Sequence, residues 1–334
     1  MSKGADTSNY AALRGIVKKI PGIHVTVAGD LILDVYLTGD VKRISPEAPV
    51  PVLERSTETC YPGGAANVAL NLKGLGVNVL LAGVLGDDAA GKEFLSLIRS
   101  HGIDSSCIIS EENYHTTKKT RIIARSQQLL RIDYETRKNC SQKLTDELAA
   151  RISNTINKSQ ALIYSDYGKG VLHETSFQKI SAIASRQGVF TAVDPKLSNY
   201  AIYHDVHVMT PNHIEAGEII QREVSDDNEI REAGYEIIKK YNLRELVITR
   251  GARGMTVFSE NKGAVMLPAY ARSVYDVSGA GDTVIAVYTA ARVAGACPID
   301  AAHLANHAAG IVISKFGTAA ITQDELIHEL SSPA

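Results

Sequence analysis

The residues best suited to chemistry lie in Asp276-Val-Ser-Gly-Ala-Gly-Asp-Thr283, which opens the apolar stretch Thr283-Val-Ile-Ala-Val-Tyr-Thr-Ala-Ala-Arg292. Gly279 and Gly281 let the backbone approach a ligand, and the N–H groups of a helix start, here around Ala280, point into the same space. With the aligned helix dipole they make an anion hole for phosphoryl oxygens that gain charge during transfer. Asp282, in the first helical turn, can accept the proton of a hydroxyl placed in line with a phosphate. A glycine turn with a capping aspartate would explain Gly-x-Gly-Asp alone; the whole octapeptide favours the catalytic reading.

A second glycine-led helix starts at Pro62-Gly63-Gly64-Ala65-Ala66-Asn67, where Asn67 offers donors and an acceptor matched to sugar hydroxyls. Asp30 and Asp34 follow the first apolar run, and each can accept a hydrogen bond from a polyol or simply cap the turn. Other apolar runs also end in polar groups: Ser165-Asp166-Tyr167-Gly168-Lys169-Gly170, Asp194-Pro195-Lys196, Thr210-Pro211-Asn212 and Thr249-Arg250-Gly251. Any one of these is most simply a cap or a turn. Together they occupy the positions where an open parallel sheet binds its ligands. The run Gly86 to Glu93 imitates a phosphate loop, but Glu93 replaces the required hydroxyl, and Asp87 and Asp88 would face the phosphates.

Short apolar runs at 24–28, 77–84, 161–164, 189–193, 206–209 and 246–249 read as the strands that carry these ends. Helical stretches at 65–75, 91–100, 141–158, 174–186, 228–241, 280–294 and 299–316 alternate with them, which predicts an α/β fold with a mostly parallel sheet flanked by helices on both faces. Segments 38–59 and 116–135 break the rhythm and read as extended, the second with a turn at Ser126 to Gln128. They predict a small antiparallel β lid inserted into a single domain over 1–334, with 1–20 as a frayed N-terminal extension. Lys and Arg number 35 against 37 Asp and Glu, so no extended basic surface for nucleic acid is implied. No apolar run reaches the ~18 residues that span a bilayer. Four cysteines without metal-ligand spacing fit a reducing cytoplasm.

The pairing of Gly63-Gly64-Ala-Ala-Asn67 with Asp276 to Thr283 resembles the two signatures of the ribokinase (PfkB) carbohydrate kinases, over roughly residues 24–330. Within that family, Gly29-Asp30-Leu-Ile-Leu-Asp34, Arg43-Ile-Ser-Pro-Glu-Ala-Pro-Val-Pro-Val52, Gln127-Gln-Leu-Leu-Arg131-Ile-Asp133, Ser165 to Gly170 and Asp194-Pro-Lys196 are similar to the D-glycero-β-D-manno-heptose-7-phosphate kinases, which serve ADP-heptose and lipopolysaccharide core synthesis. The resemblance implies a ribokinase-like fold and transfer of the ATP γ-phosphate to the anomeric hydroxyl of heptose 7-phosphate. It makes Asp282 the base and Gly279, Ala280 and Gly281 the anion hole. It puts Asp34, Gly63, Gly64 and Asn67 on the sugar, with Asp30, Gln128, Asp166 and Lys169 assigned to the same side. Asn212 and Glu215 fall on the magnesium and phosphate side, with Lys196; Thr249, Gly251 and Gly254 on the nucleotide loop; Asn306 beside the adenine. Asp276 and Ser278 match a monovalent-cation site of the potassium type.

A substrate phosphate needs a cation outside the transfer site, and the lid offers Arg43, Lys118, Lys119, Arg121, Arg125 and Arg131, with Arg131 and Lys118 the first choices. Another family member acting on a free sugar, of ribokinase or fructokinase type, and a non-catalytic sugar or nucleotide sensor are the alternatives. Exposed lid edges predict a homodimer through the lid. Some heptose kinases carry a nucleotidyltransferase domain; this chain ends soon after Leu330, so the bisphosphate is expected to pass to a separate protein.

Overall fold

Along residues 24–29 successive side chains enter different cores: Val25 and Val27 join one apolar cluster, and Ala28 joins the other. That alternation, apolar on both faces, is what a central parallel strand requires. The computed structural model describes residues 7–331 apart from 126, 136–137, 197, 261, 271–273, 316 and 318. In chain order its elements are α1 (Thr7–Val17), β1 (His24–Gly29), β2 (Leu31–Ile44), β3 (Pro51–Gly64), α2 (Ala65–Gly74), β4 (Asn78–Gly86), α3 (Ala89–Ser100), β5 (Asp104–Glu111), β6 (Thr117–Ala124), β7 (Gln127–Tyr134), α4 (Gln142–Thr155), β8 (Ala161–Ser165), α5 (Glu174–Arg186), β9 (Phe190–Asp194), β10 (Val208–Met209), α6 (His213–Ile219), α7 (Asp227–Tyr241), β11 (Glu245–Thr249), β12 (Met255–Ser259), β13 (Gly263–Leu267), α8 (Ala280–Val293), α9 (Pro298–Val312) and α10 (Gln323–Ser331).

The main sheet runs β13-β12-β11-β10-β9-β8-β1-β4-β5, parallel from β11 to β5 and antiparallel at the β12 and β13 edge. From β1 the chain builds outward to β4 and β5, then crosses to β8 and builds the other way. Strand order therefore reverses between β1 and β8, and a crevice opens beyond their carboxyl ends. On one face α2, α8 and α9 pack against the sheet; on the other lie α4, α5 and α7. Helix α8 is buried from Asp282 to Ala291, which explains a sequence apolar on all sides.

The second sheet has the order β3-β2-β6-β7. It differs from the antiparallel lid expected from sequence: its outer pairs are antiparallel, but β2 and β6 run parallel. The reason is connectivity, because β2 follows β1 and β6 follows β5 out of the same end of the main sheet. The lid strands are also longer than expected, rooted at Leu31 and Gly64. Ser126, in the expected turn, lies outside the described residues, as does Phe316 at the expected end of α9.

In place of a frayed extension, residues 7–17 form α1, with Leu13 and Val17 buried. The imitation phosphate loop is structural. Asp88 caps α3 through Gly91 N at 2.8 Å, and its other oxygen accepts Thr116 N at 3.0 Å, pinning the start of the lid hairpin. No described helix is long and apolar enough to cross a membrane.

Candidate active site

Asp282 begins a helix yet is only 3 % exposed. Its Oδ2 accepts Asn67 Nδ2 at 2.7 Å, and its Oδ1 accepts the Tyr167 hydroxyl at 2.7 Å. Burial pushes its carboxyl up to about 6, against the pull of both donors and with the Asp34 charge adding to the rise. A carboxylate so tuned is ionised at neutral pH and still basic enough to take a hydroxyl proton in a transition state. Gly279 precedes α8 at φ 81, and a Cβ there would stand 2.5 Å from Asn67 Nδ2. A side chain at this position would break the bond that holds the base. Of the expected anion hole, Ala280 N already donates to Val277 O at 3.3 Å, whereas the first-turn N–H groups of Gly281 and Asp282 have no carbonyl of their own helix to bond.

Asp34, on β2, is buried and ion-paired with Arg121 on β6. Burial raises its carboxyl although Arg121 pulls the other way. Gly63 is required alongside, since a Cβ would come 2.0 Å from Asp34 Oδ2. Gly64 caps α2, which delivers Asn67 to Asp282. Asn67 Oδ1 is buried and has no hydrogen-bond partner among the described residues, so it is left to accept from a ligand hydroxyl.

Asp30 and Asp166 differ from the sugar ligands expected of them. Asp30 accepts Tyr167 N at 2.9 Å, Lys169 N at 3.0 Å and Val171 N at 3.1 Å. It is a clamp for the turn after β8, with its carboxyl pushed up to about 7 by burial and then by the charge of Asp166. Asp166 accepts Gly168 N at 2.7 Å, Asn199 Nδ2 at 2.9 Å and the Tyr203 hydroxyl. Both carboxylates satisfy backbone and side-chain donors that the turn would otherwise bury unpaired.

Lid alternation sorts the cations. Lys119 and Arg121 share the face of Asp34, whereas Lys118, opposite Leu33, falls on the reverse face with Val35. Lys118 therefore does not join the expected phosphate set. Arg131 lies opposite Arg121 and pairs with Asp133 at 2.9 Å. Lys119 bonds Asp133 at 3.2 Å, and Lys169 pairs with Glu135. Gln128 sits at the hairpin end of β7. Arg43 is nine residues along β2 from Asp34, roughly 30 Å at the rise of a strand, too far to share its ligand within one chain.

On the opposite flank, Asn212 Oδ1 caps α6 by accepting from Ile214 N at 2.9 Å and Glu215 N at 3.0 Å, and Asn212 N donates to Glu215 Oε2 at 2.9 Å. Asn212 bridges Thr249, which ties the cap to the nucleotide-side turn. Burial raises Glu215, while Asn212 N and Lys196 draw it down. Gly251 and Gly254 bracket that turn at φ 57 and φ 83. Asn306 Nδ2 donates to Pro268 O at 2.6 Å, joining α9 to the segment after β13. Asp276 Oδ1 accepts Ser278 N at 2.9 Å.

Two site residues escaped selection from sequence. Asp194, at the end of β9, is held well above the usual carboxylate range by burial and then by the charges of Asp282 and Glu215. Its Oδ2 stands 3.9 Å from where a Cβ on Gly281 would be, under the anion hole. Tyr167 was visible only as part of a polar strand end. The clue was that such ends converge on one crevice, so every polar group in them was a candidate.

The pfkB family carbohydrate kinase pattern matches residues 23–325. The "Bifunctional protein HldE" of Paramagnetospirillum magneticum is 42% identical over 323 residues, 97% of this chain and 66% of that protein. The chain thus spans just under two thirds of that relative's length. Among solved structures, phosphofructokinase-2 from Escherichia coli in complex with substrates and products superposes with a TM-score of 0.78 at 18% identity, covering 93% of this chain and 100% of that one. Arabidopsis thaliana ribokinase complexed with ribose and ATP gives a TM-score of 0.72 at 17% identity, covering 93% and 99%. The fold is ribokinase-like, and the chain belongs to the pfkB family of carbohydrate kinases.

Proposed function

We propose that this chain transfers the γ-phosphate of ATP to the anomeric hydroxyl of D-glycero-β-D-manno-heptose 7-phosphate, giving the 1,7-bisphosphate for ADP-heptose and lipopolysaccharide core synthesis. The observation that carries the transfer chemistry is the Asp282 carboxylate, held by Asn67 and Tyr167 beside the first turn of α8. A hydroxyl offered there gives its proton to Asp282 as its oxygen attacks phosphorus. The bond to the ADP oxygen breaks, and the first-turn N–H groups take up charge on the phosphoryl oxygens. Asp34 and Asn67 Oδ1 orient the sugar, while Asn212, Glu215, Lys196 and the turn from Thr249 to Gly254 serve the nucleotide, with Asn306 toward the adenine. The choice of heptose 7-phosphate rests on the runs around Asp34, Arg43, Arg131, Asp166 and Lys196.

The residues fit a magnesium nucleotide. No described cluster of three metal-ligating side chains exists, which Mg²⁺ does not need, since it binds by one or two carboxylates, water and phosphate oxygens. Glu215 would hold it, and its charge would offset the buried negative charge of Asp194 and Asp282. Asp276 and Ser278 are the positions proposed for K⁺. Leu130, Ile132 and Tyr134 form an exposed apolar stripe on β7, which supports a homodimer through the lid. A cytoplasmic location accords with nucleotide supply and with cysteines that are unpaired among the described residues.

One observation favours a second reading, a free sugar as acceptor: Arg121, Arg131, Lys119 and Lys169 are each already paired with a carboxylate. A panel of phosphorylated and free sugars, assayed for ATP-dependent ADP release, separates the two. Turnover confined to heptose 7-phosphate supports the first; turnover confined to free sugars replaces it with the second.

A further inference from the structure

Both oxygens of Asp282 are held, each by one donor from a different part of the chain: Asn67 on α2 and Tyr167 in the turn after β8. A carboxylate fixed at both oxygens cannot rotate about its Cβ–Cγ bond, so the direction of its remaining lone pairs is set before substrate arrives. Tyr167 is itself anchored, because its N–H donates to Asp30 Oδ2 at 2.9 Å. The same carboxylate takes Lys169 N and Val171 N, closing a turn in which Gly168 and Gly170 sit at φ 67 and φ 100. These three backbone bonds satisfy the buried turn and, in doing so, fix the point at which the phenol stands.

We propose, resting on the kinase reading, that Tyr167 is a positioning residue for phosphoryl transfer. Its hydroxyl locks the Asp282 carboxylate toward the acceptor hydroxyl, and Asp30 locks Tyr167. In the transfer step the acceptor proton moves to Asp282, the new O–P bond forms, and the bond to ADP breaks with its electron pair leaving on ADP. Tyr167 keeps its own proton throughout. Burial, and then the Asp282 charge, hold the phenol well above its ordinary range, so it remains a donor at working pH.

The groups facing Asp282 set what removal of that donor does. Asn67 and Tyr167 draw its carboxyl down; Asp34 on β2, itself paired with Arg121, pushes it up. Asp194 at the end of β9 shares the same buried field. Tyr167→Phe deletes one downward pull, so Asp282 should titrate at higher pH, by about one unit for a lost hydrogen bond to a charged group.

The test is ¹³C NMR of the full chain labelled at aspartate carboxyls, with Asp282→Asn assigning the signal, together with turnover against pH in Mg²⁺-ATP. In folded Y167F the Asp282 midpoint and the acid limb of kcat/KM should both rise by about one pH unit, with kcat lower by about tenfold and the KM for ATP unchanged. Thermal melting reports whether Y167F folds. A second arm, the wild-type sequence carrying ring-fluorinated tyrosine, should move the midpoint down, because a more acidic phenol donates more strongly. A midpoint that stays put in folded Y167F, or in the fluorinated protein, overturns the proposal. Absence of wild-type turnover would strike the kinase reading instead and leave the NMR result standing on its own.

Discussion

Asn67 Nδ2 lies 2.7 Å from Asp282 Oδ2, although 215 residues separate them in the chain. The two glycine-led helix starts thus meet through one hydrogen bond. Asn71, one turn along α2, reinforces the meeting: its Oδ1 accepts the Thr283 hydroxyl at 3.0 Å and Ile321 N at 3.1 Å. The base is consequently positioned by the packing of α2 on α8 as well as by its own loop.

Asn67→Ala should remove that bond while leaving the helix pair packed. A hydrogen bond to a charged group contributes about 1.5–3 kcal/mol, so kcat is expected to fall by about tenfold to a hundredfold. Steady-state kinetics beside a thermal melt check this. A variant with wild-type kcat, or one that loses activity only because it unfolds, would remove Asn67 from the site.

Stability of the ligand-free protein should fall as pH rises toward and past neutrality. Asp30, Asp34, Asp194, Glu215 and Asp282 all have carboxyls raised above their ordinary values, with burial the first cause. The folded chain then binds more protons than the unfolded one. This contribution is whole below the ordinary aspartate value of 3.8 and is lost as pH climbs through the folded values, about 6 for Asp282 and about 7 for Asp30. Asp88 and Asp133, which are lowered, act in the opposite sense at the acid end, and His173, His207, His303 and His307, lowered by burial, oppose the trend up to the ordinary imidazole value of 6.5. Melting temperatures should therefore drop between about pH 6.5, above which the histidines are mostly uncharged in both states, and about pH 8, and Asp194→Asn should flatten the slope. A melting temperature that climbs across that interval would contradict the burial of these charges.

Arg131→Ala should raise the KM for a phosphorylated sugar by about tenfold, the scale of one charge-assisted contact, and leave that for ATP alone. Lys118→Ala should change neither, since it lies on the other face of β6. Equal effects of Arg131→Ala on both substrates would count against a sugar-phosphate contact.

The parallel core was legible because its strands are continuous apolar runs, and their two-sided burial leaves that pattern no other interpretation. Helix α5 was read at its observed bounds, Glu174 to Arg186. Strand β5 was missed because this edge strand mixes polar and apolar residues, as in Asp104-Ser-Ser-Cys-Ile-Ile-Ser-Glu111, while β12 and β13 are five-residue strands of a hairpin, too short to stand out by periodicity. Helices α6 and α10 are short, and the cap of α6, Asn212, stood out in the sequence as a ligand position and not as a helix start. Asp30 and Asp34 are chemically alike and four residues apart, yet one clamps a turn and the other faces the lid; only the approach of residues 167–171 separates them. Tyr167 meets Asp282 across 115 residues, a contact that local pattern does not encode.

The central claim rests on the Asp282 carboxylate taking the acceptor's proton, and Asp282→Asn tests it most directly, because the amide keeps shape and size while losing basicity. With ATP, Mg²⁺ and the accepted sugar, single-turnover phosphate transfer should fall by at least about a thousandfold, at the scale of general-base catalysis, while the protein still binds nucleotide and melts cooperatively. A folded Asn variant that transfers phosphate at a rate near wild type would contradict the account.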